Sequence, residues 1–348
     1  MQHRLMKSFL ALYYVLYNEP FFTMGGRLNM SPNKITDIGL GLWKIPNDQC
    51  ADTVYRAIEL GYRHLDSACD YGNEIDVGQG ISKAIADGLC TRDDLSITSK
   101  LWNTYHSREH VKPALEKILS DLKLDYLDTF LIHFPIAQAF VPFEKRYPPE
   151  WFYDPEADNP AMKLAPVPLA ETWQAMEELV REGWVKQIGV CNYNSGLIHD
   201  LMSYATIKPS VLQIESHPYL TQEPLIRLAK NYGMAVTAFS PFGALSYVEL
   251  AMADAEESVL TEEVITQCAE KYHRTPAQIL LRWSVQRGCS VITKTTKVER
   301  LVENLDIFDF DLTEQEMSAI SALNKNRRFN DPGKFCEAAF NTFYPIYD

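Results

Sequence analysis

The sequence predicts an α/β protein built as a closed (β/α)8 TIM barrel, with long active-site loops and a C-terminal tail. Three observations predict it. Eight short apolar runs alternate with amphipathic stretches along the chain. Most of these runs are continuous and rich in Ile, Leu and Val, as strands buried on both faces are. No low-complexity segment or linker divides the 348 residues, and eight strand–helix units at this length favour closure over an open sheet.

The strand-like runs are 38–43, 64–68, 95–102, 129–134, 185–192, 211–215, 235–240 and 289–294. Helical periodicity fills the gaps. Residues 50–60 place Val54, Ile58 and Leu60 among polar neighbours, and Gly61 stands where a helix ends. Stretches 74–87, 109–122, 169–182, 196–204, 223–232 and 262–272 read the same way. Pro276 opens the helix over 277–286, and 298–305 gives the last of the repeat. Two segments break the pattern. Residues 136–168 are rich in proline and aromatics and too long for an ordinary connection. The tail from 326 carries Phe329, Phe335, Phe340, Phe343 and Tyr344. In a barrel, long loops after strands lie on the catalytic face, so the first segment is expected at a pocket.

Composition narrows the function. Lys plus Arg is 33 against 46 Asp plus Glu, a net charge of −13. Nucleic acid and anionic membranes are therefore not expected partners. Seven scattered cysteines without a CxxC pair fit reduced thiols and a cytoplasmic setting. No apolar run reaches bilayer length. Arg4 and Lys7 before the apolar stretch 9–16 outline a weak signal-like pattern with no small-residue cleavage site. Residues 1–26 thus read as an extension, weakly signal-like or disordered, and 27–348 as a single barrel domain. Both a monomer and a homodimer fit.

Four ionisable groups sit where parallel strands would end. Asp66 closes the second strand, Tyr71 follows in its loop, Lys100 is near the end of the third, and His133 near the end of the fourth. Three adjacent units thus aim four groups, an acid, a phenol, an amine and an imidazole, at one rim. An ammonium favours a neighbouring phenolate. Lys100, held by Asp66, is expected to lower the Tyr71 value toward working pH and make it a general acid. His133 can donate to a substrate oxygen and orient it. Proton delivery to a carbonyl beside a hydride source is carbonyl reduction. His106 and His110 lack the HExxH order, and they read as helix surface with no metal site.

The run Leu65-Asp66-Ser67-Ala68 with Tyr71, the run Ser99-Lys100-Leu101-Trp102-Asn103, and Leu131-Ile132-His133-Phe134-Pro135 resemble the tetrad segments of the aldo-keto reductases. The likeness runs from about Leu28 to Asp331 and is nearest to the xylose reductases of the aldose reductase type. The Phe140–Glu144 stretch with Tyr147-Pro148-Pro149, and the tail run Arg328-Phe329-Asn330-Asp331-Pro332, carry that closer likeness. It implies a barrel that uses NADPH or NADH to reduce an aldose or aldehyde, such as xylose to xylitol. It gives Tyr71 the acid role, Lys100 and Asp66 the tuning role, and His133 the orienting role. A sugar-6-phosphate reductase of polyol synthesis and a non-catalytic cofactor-binding member are the alternatives.

The cofactor is read without a Rossmann fingerprint, because Gly39-Leu40-Gly41 lacks the third glycine. Asn192 and Gln213 can pair with a carboxamide, and Phe239 can stack on a nicotinamide. The family has a serine where Cys191 stands and usually a tyrosine at Phe239. Lys294, Thr295, Thr296 and Arg300 surround a helix start that can hold the 2′-phosphate of NADP. By resemblance, Glu249 matches a residue that binds free ribose hydroxyls in enzymes using NADH. NADPH is therefore expected, with NADH left open. Trp43, Trp102, Phe134 and Trp151 are expected as pocket walls, and by resemblance Asn330 contacts sugar hydroxyls.

Overall fold

The computed structural model describes residues 37–347; the extension expected over residues 1–26 lies outside them. Eight parallel strands close into a barrel in chain order. They are β1 (Ile38–Gly41), β2 (His64–Asp66), β3 (Ser96–Leu101), β4 (Leu127–Ile132), β5 (Val185–Cys191), β6 (Val211–Glu215), β7 (Ala235–Phe239) and β8 (Ser290–Thr293). The seam is β1 against β8, with Gly39 opposite Ile292. All eight expected strands are present, with ends displaced by at most two residues.

The outer helices are α1 (Asn47–Leu60), α2 (Glu74–Ala86), α3 (Arg108–Leu122), α4 (Leu169–Arg181), α5 (Ser195–Tyr204), α6 (Glu223–Asn231), α7 (Glu263–Tyr272), α8 (Pro276–Gln286) and α9 (Val298–Leu305). Their ends follow local chemistry. Gly61 takes φ 109° and closes α1 in the left-handed region. Thr275 caps α8 through a reciprocal bond with Gln278, and Pro276 supplies the first helical residue. Two further helices, α10 (Glu314–Ser321) and α11 (Pro332–Phe340), lie beyond the repeat.

The two faces of the strands differ in a way that apolar runs alone do not reveal. Outward side chains, among them Leu65, Ile97, Phe130, Ile188, Leu212 and Val236, join one buried cluster with the helices. Each such residue contributes roughly 1.5–3 kcal/mol of burial free energy. Inward positions are largely small or polar and bond across the barrel. Gln187 Nε2 donates to Thr129 Oγ1 at 2.8 Å, and Gln213 Nε2 to Asp66 Oδ2 at 2.6 Å. A Cβ on Gly39 would stand 2.6 Å from His64 Nδ1, so the glycine makes room for that ring. One apolar interior cluster is made by Leu131, Cys191 and Val211, with Phe239 packed on it. Polar groups therefore line the path to the strands' C-terminal ends.

Residues 136–168 and the tail meet over that end. Met162 N–H donates to Phe340 O at 3.3 Å and to Thr342 Oγ1 at 3.1 Å. Trp151 packs on Phe335 and Phe340, with ring centroids 5.2 and 5.5 Å away. The long loop is thus folded against α11 at Trp151 and Met162, while residues 155–159 stay exposed.

Candidate active site

Asp66 and Lys100 are sealed from solvent at the barrel's C-terminal end. Lys100 Nζ lies 2.6 Å from Asp66 Oδ1, 2.7 Å from Ser67 O and 3.2 Å from the Tyr71 hydroxyl. A buried ammonium needs such a shell, because an unpaired charge there is very costly. Strand register brings the pair together, since Asp66 and Thr98 are adjacent across β2 and β3. Tyr71 ends a 3-10 turn after β2 and points its half-buried ring into a cavity. His133, just after β4, sets its ring 6.0 Å from that of Tyr71. Its Nδ1 lies 3.0 Å from Asp70 Oδ1, which leaves Nε2 as the nitrogen for the cavity.

The geometry corrects one expectation. Burial pushes the Tyr71 phenol well above its ordinary value, and the charges of Asp66 and Asp70 push it the same way. The ammonium does not dominate, because Asp66 matches its charge at 2.6 Å. The surroundings of Tyr71 thus favour its protonated phenol, with Lys100 Nζ beside the hydroxyl.

A cavity of about 1070 Å³ runs from Tyr71 and His133 past Asn192, Gln213 and Phe239 to Lys294, Thr295 and Arg300. That volume suits a dinucleotide with a small substrate. Asn192 Nδ2 donates to His133 O at 2.9 Å and lies 3.2 Å from Cys191 Sγ. Cys191 Sγ also lies 3.7 Å from Gln213 Oε1, so the thiol sits between the two amides. Lys294 and Arg300 have no ion-pair partner among the described residues, so two cations face one end of the cavity. Thr296, expected with them at the 2′-phosphate, follows Thr295 in the loop but does not line the cavity. The residues present fit a nicotinamide dinucleotide: amides and an aromatic at one end, unpaired cations at the other.

The profile of the Aldo/keto reductase family matches residues 37–325. The chain belongs to that family. An NADPH-dependent D-xylose reductase of Candida boidinii is 50% identical over 317 residues, spanning 90% of this chain and 96% of that protein. A probable NAD(P)H-dependent D-xylose reductase of Emericella nidulans is 49% identical over 300 residues, spanning 86% and 93%. Among solved structures, the aldose reductase of Schistosoma japonicum superposes with TM-score 0.79 at 35% identity, covering 93% of this chain and 99% of that one. A Bombyx mori aldo-keto reductase in complex with NADP gives 0.75 at 37%, covering 90% and 95%.

In this aldo/keto reductase, Trp43, Phe134, Trp151 and Asn330 line the cavity as expected. Trp102 does not. It is fully buried behind the wall, where Nε1 donates to Glu150 O at 3.0 Å and the ring packs edge-on to His133. His106 is likewise not helix surface: it is fully buried just before α3, and burial lowers its value to about 4. His110 stacks on Phe140 with centroids 3.7 Å apart. Glu249 faces the cavity mouth but is held by Lys44 Nζ at 2.5 Å.

Three residues escaped the sequence reading. Asp70 sits beside His133 and lines the cavity; its place immediately before Tyr71 was the available signal. Lys44 bridges to Glu249 across more than two hundred residues of chain, which no local pattern announces. Glu215, fully buried at the end of β6, accepts from Phe329 N and Asn330 N at 2.9 Å each and thereby fixes the segment that carries Asn330.

Proposed function

We propose that this chain is an NAD(P)H-dependent aldose or aldehyde reductase of the xylose reductase kind, with Tyr71 as the acid. The observation that carries the reading is the Tyr71 hydroxyl, which lies 3.2 Å from a buried ammonium and faces a cavity long enough for a dinucleotide. A reduced nicotinamide dinucleotide supplies the hydride when bound. Asn192, Gln213 and Phe239 would hold its nicotinamide end, and Lys294, Thr295 and Arg300 its adenosine end.

The chain's own residues do the rest. His133 donates an N–H to the carbonyl oxygen and fixes its direction. Tyr71 passes its proton to that oxygen as negative charge builds there. Lys100 stabilises the phenolate left behind, and Asp66 keeps Lys100 charged in a site where water does not reach. Solvent then returns a proton to Tyr71. Asp70 and Asn330, both on the cavity wall, offer polar partners for sugar hydroxyls.

Two free cations, Lys294 and Arg300, support a preference for NADPH, and Lys44's hold on Glu249 draws that carboxylate toward an ion pair. All the cysteines of the described residues are free and buried, which supports a reducing compartment such as the cytoplasm. No described helix is long and apolar enough to cross a membrane.

The test is oxidation of NADPH and NADH, followed in the nicotinamide absorbance band, across xylose, other aldoses, glyceraldehyde and sugar 6-phosphates. Activity on free aldoses is expected. Activity confined to a phosphorylated sugar would move the reading to polyol synthesis, and none on any substrate would end it. In Tyr71→Phe, turnover should fall by about 10²–10⁴ or more with cofactor binding kept. Retained turnover would remove Tyr71 from the acid role.

A further inference from the structure

We propose that Tyr347 is a positioning residue of this site, acting through Asn192 to hold its carboxamide in the one orientation that meets the nicotinamide end of the cofactor. The proposal rests on the reading above, that the cavity binds a nicotinamide dinucleotide.

Asn192 follows β5 with φ 62°, in the left-handed region that a non-glycine residue occupies only when its surroundings hold it there. Barrel contacts hold only part of it. Its backbone N–H donates to Gln213 O at 3.0 Å, and Nδ2 donates to His133 O at 2.9 Å. Neither bond engages Oδ1. The tail supplies that partner from 155 positions away: the Tyr347 hydroxyl lies 3.2 Å from Asn192 O and 3.4 Å from Asn192 Oδ1. One proton is thus shared between two acceptors. Burial pushes the Tyr347 phenol upward, so it stays a donor at neutral pH.

The tail is itself fastened. Asn194 Nδ2 donates to Ile346 O at 3.1 Å. The Arg328 guanidinium stacks 3.6 Å from the centroid of the Tyr347 ring, and its Nη2 donates to Gln222 Oε1 at 3.2 Å. With both ends of the Asn192 amide engaged, a flip would set NH2 against the phenol's proton and an oxygen against the His133 carbonyl. The orientation is therefore fixed from both sides. The amide lines the cavity; Nδ2 is spent on His133 O and, at 3.2 Å, on Cys191 Sγ, while Oδ1 keeps a second lone pair to accept from a carboxamide. Through the His133 carbonyl the same amide is tied to the residue that orients the substrate.

The nicotinamide is common to NADPH and NADH, so both should feel the loss of the hydroxyl. In Tyr347→Phe the ring and its Arg328 contact remain. Dissociation constants for NADPH and NADH, read by quenching of tryptophan fluorescence, should each rise about three- to tenfold, with the thermal melting curve unchanged. In Asn192→Gly, which keeps the left-handed backbone but removes the amide, adding Tyr347→Phe should cost nothing further. Unchanged affinity in Tyr347→Phe would overturn the proposal. So would additive losses in the double variant, a loss confined to NADPH, or an affinity loss matched by a fall in melting temperature. Wild-type protein that binds neither cofactor would instead overturn the dinucleotide reading, and this proposal with it.

Discussion

Lys100 and Asp66 carry opposite charges where water reaches neither. Taking two charges out of water is expensive, and apolar residues in their place are often as stable or more so. The pair is better explained by its chemistry than by its contribution to folding: it provides a fixed positive charge beside a phenol. Glu74 shows the same environment acting without a cation. It is buried behind Tyr71, accepting from Ser99 Oγ at 2.7 Å and Ser67 Oγ at 3.2 Å. Burial raises its value to about 8, while those two bonds pull it down less strongly. The folded protein then holds a proton that the unfolded chain has released between its ordinary value of 4.5 and about 8. Stability therefore falls as pH rises through that window, and the Glu74 contribution is lost above it. Melting temperature should drop more steeply from pH 6 to pH 9 in the wild type than in Glu74→Gln. Parallel curves would show that the carboxyl is already ionised in the folded protein.

Strands position these residues through register. Gly189 in β5 sits opposite Val211 in β6, and a Cβ there would run into the Val211 carbonyl and stand 2.8 Å from Leu131 Cδ2. Backbone cannot yield as a flexible side chain can. Gly189→Ala should cost about 1–3 kcal/mol, read from chemical denaturation, and should weaken cofactor binding because Cys191 and Asn192 follow on the same strand. An unchanged unfolding midpoint would mean that the barrel can open at this seam without cost. At this scale the sequence was highly legible. Continuous apolar runs placed every strand, and Gly61 and Pro276 marked helix ends, because those signals are local. The runs concealed the polar inner face, since Thr98, Lys100 and Gln213 are single positions inside otherwise apolar stretches. Trp102 and His106 were misplaced for a related reason: residue type does not say on which side of a wall a ring lies.

Across the whole molecule, the cavity is closed by pieces distant in the chain. Lys44, in the loop after β1, reaches Glu249 and Ser246 O in the loop after β7, each at 2.5 Å. Both side chains line the mouth. An exposed pair of this kind contributes little to global stability. Its effect is expected on escape from the cavity. Lys44→Met should speed NADPH release several-fold in stopped-flow measurements while leaving the melting temperature nearly unchanged. Equal release rates would show that the loops open without breaking the bridge. The net charge of −13 makes a second point. An acidic molecule can still present Lys294 and Arg300 to one anionic group, because a pocket's field is set by nearby charges more than by the total.

The sequence by itself determined the barrel, the order of its strands and the four residues at adjacent strand ends, because periodicity and strand–helix alternation are written over short distances. It also picked out Asn192, Gln213, Lys294 and Arg300, which the fold brings to one cavity, through their places on or just after strands and at the start of α9. Only the tertiary structure decided that burial and the charges of Asp66 and Asp70 act on Tyr71 against Lys100, that Glu215 fixes Asn330, that Lys44 holds Glu249, and that Tyr347 touches Asn192. Each of these depends on burial or on contact between residues far apart in the chain. Such distances and desolvation exist only once the barrel has closed.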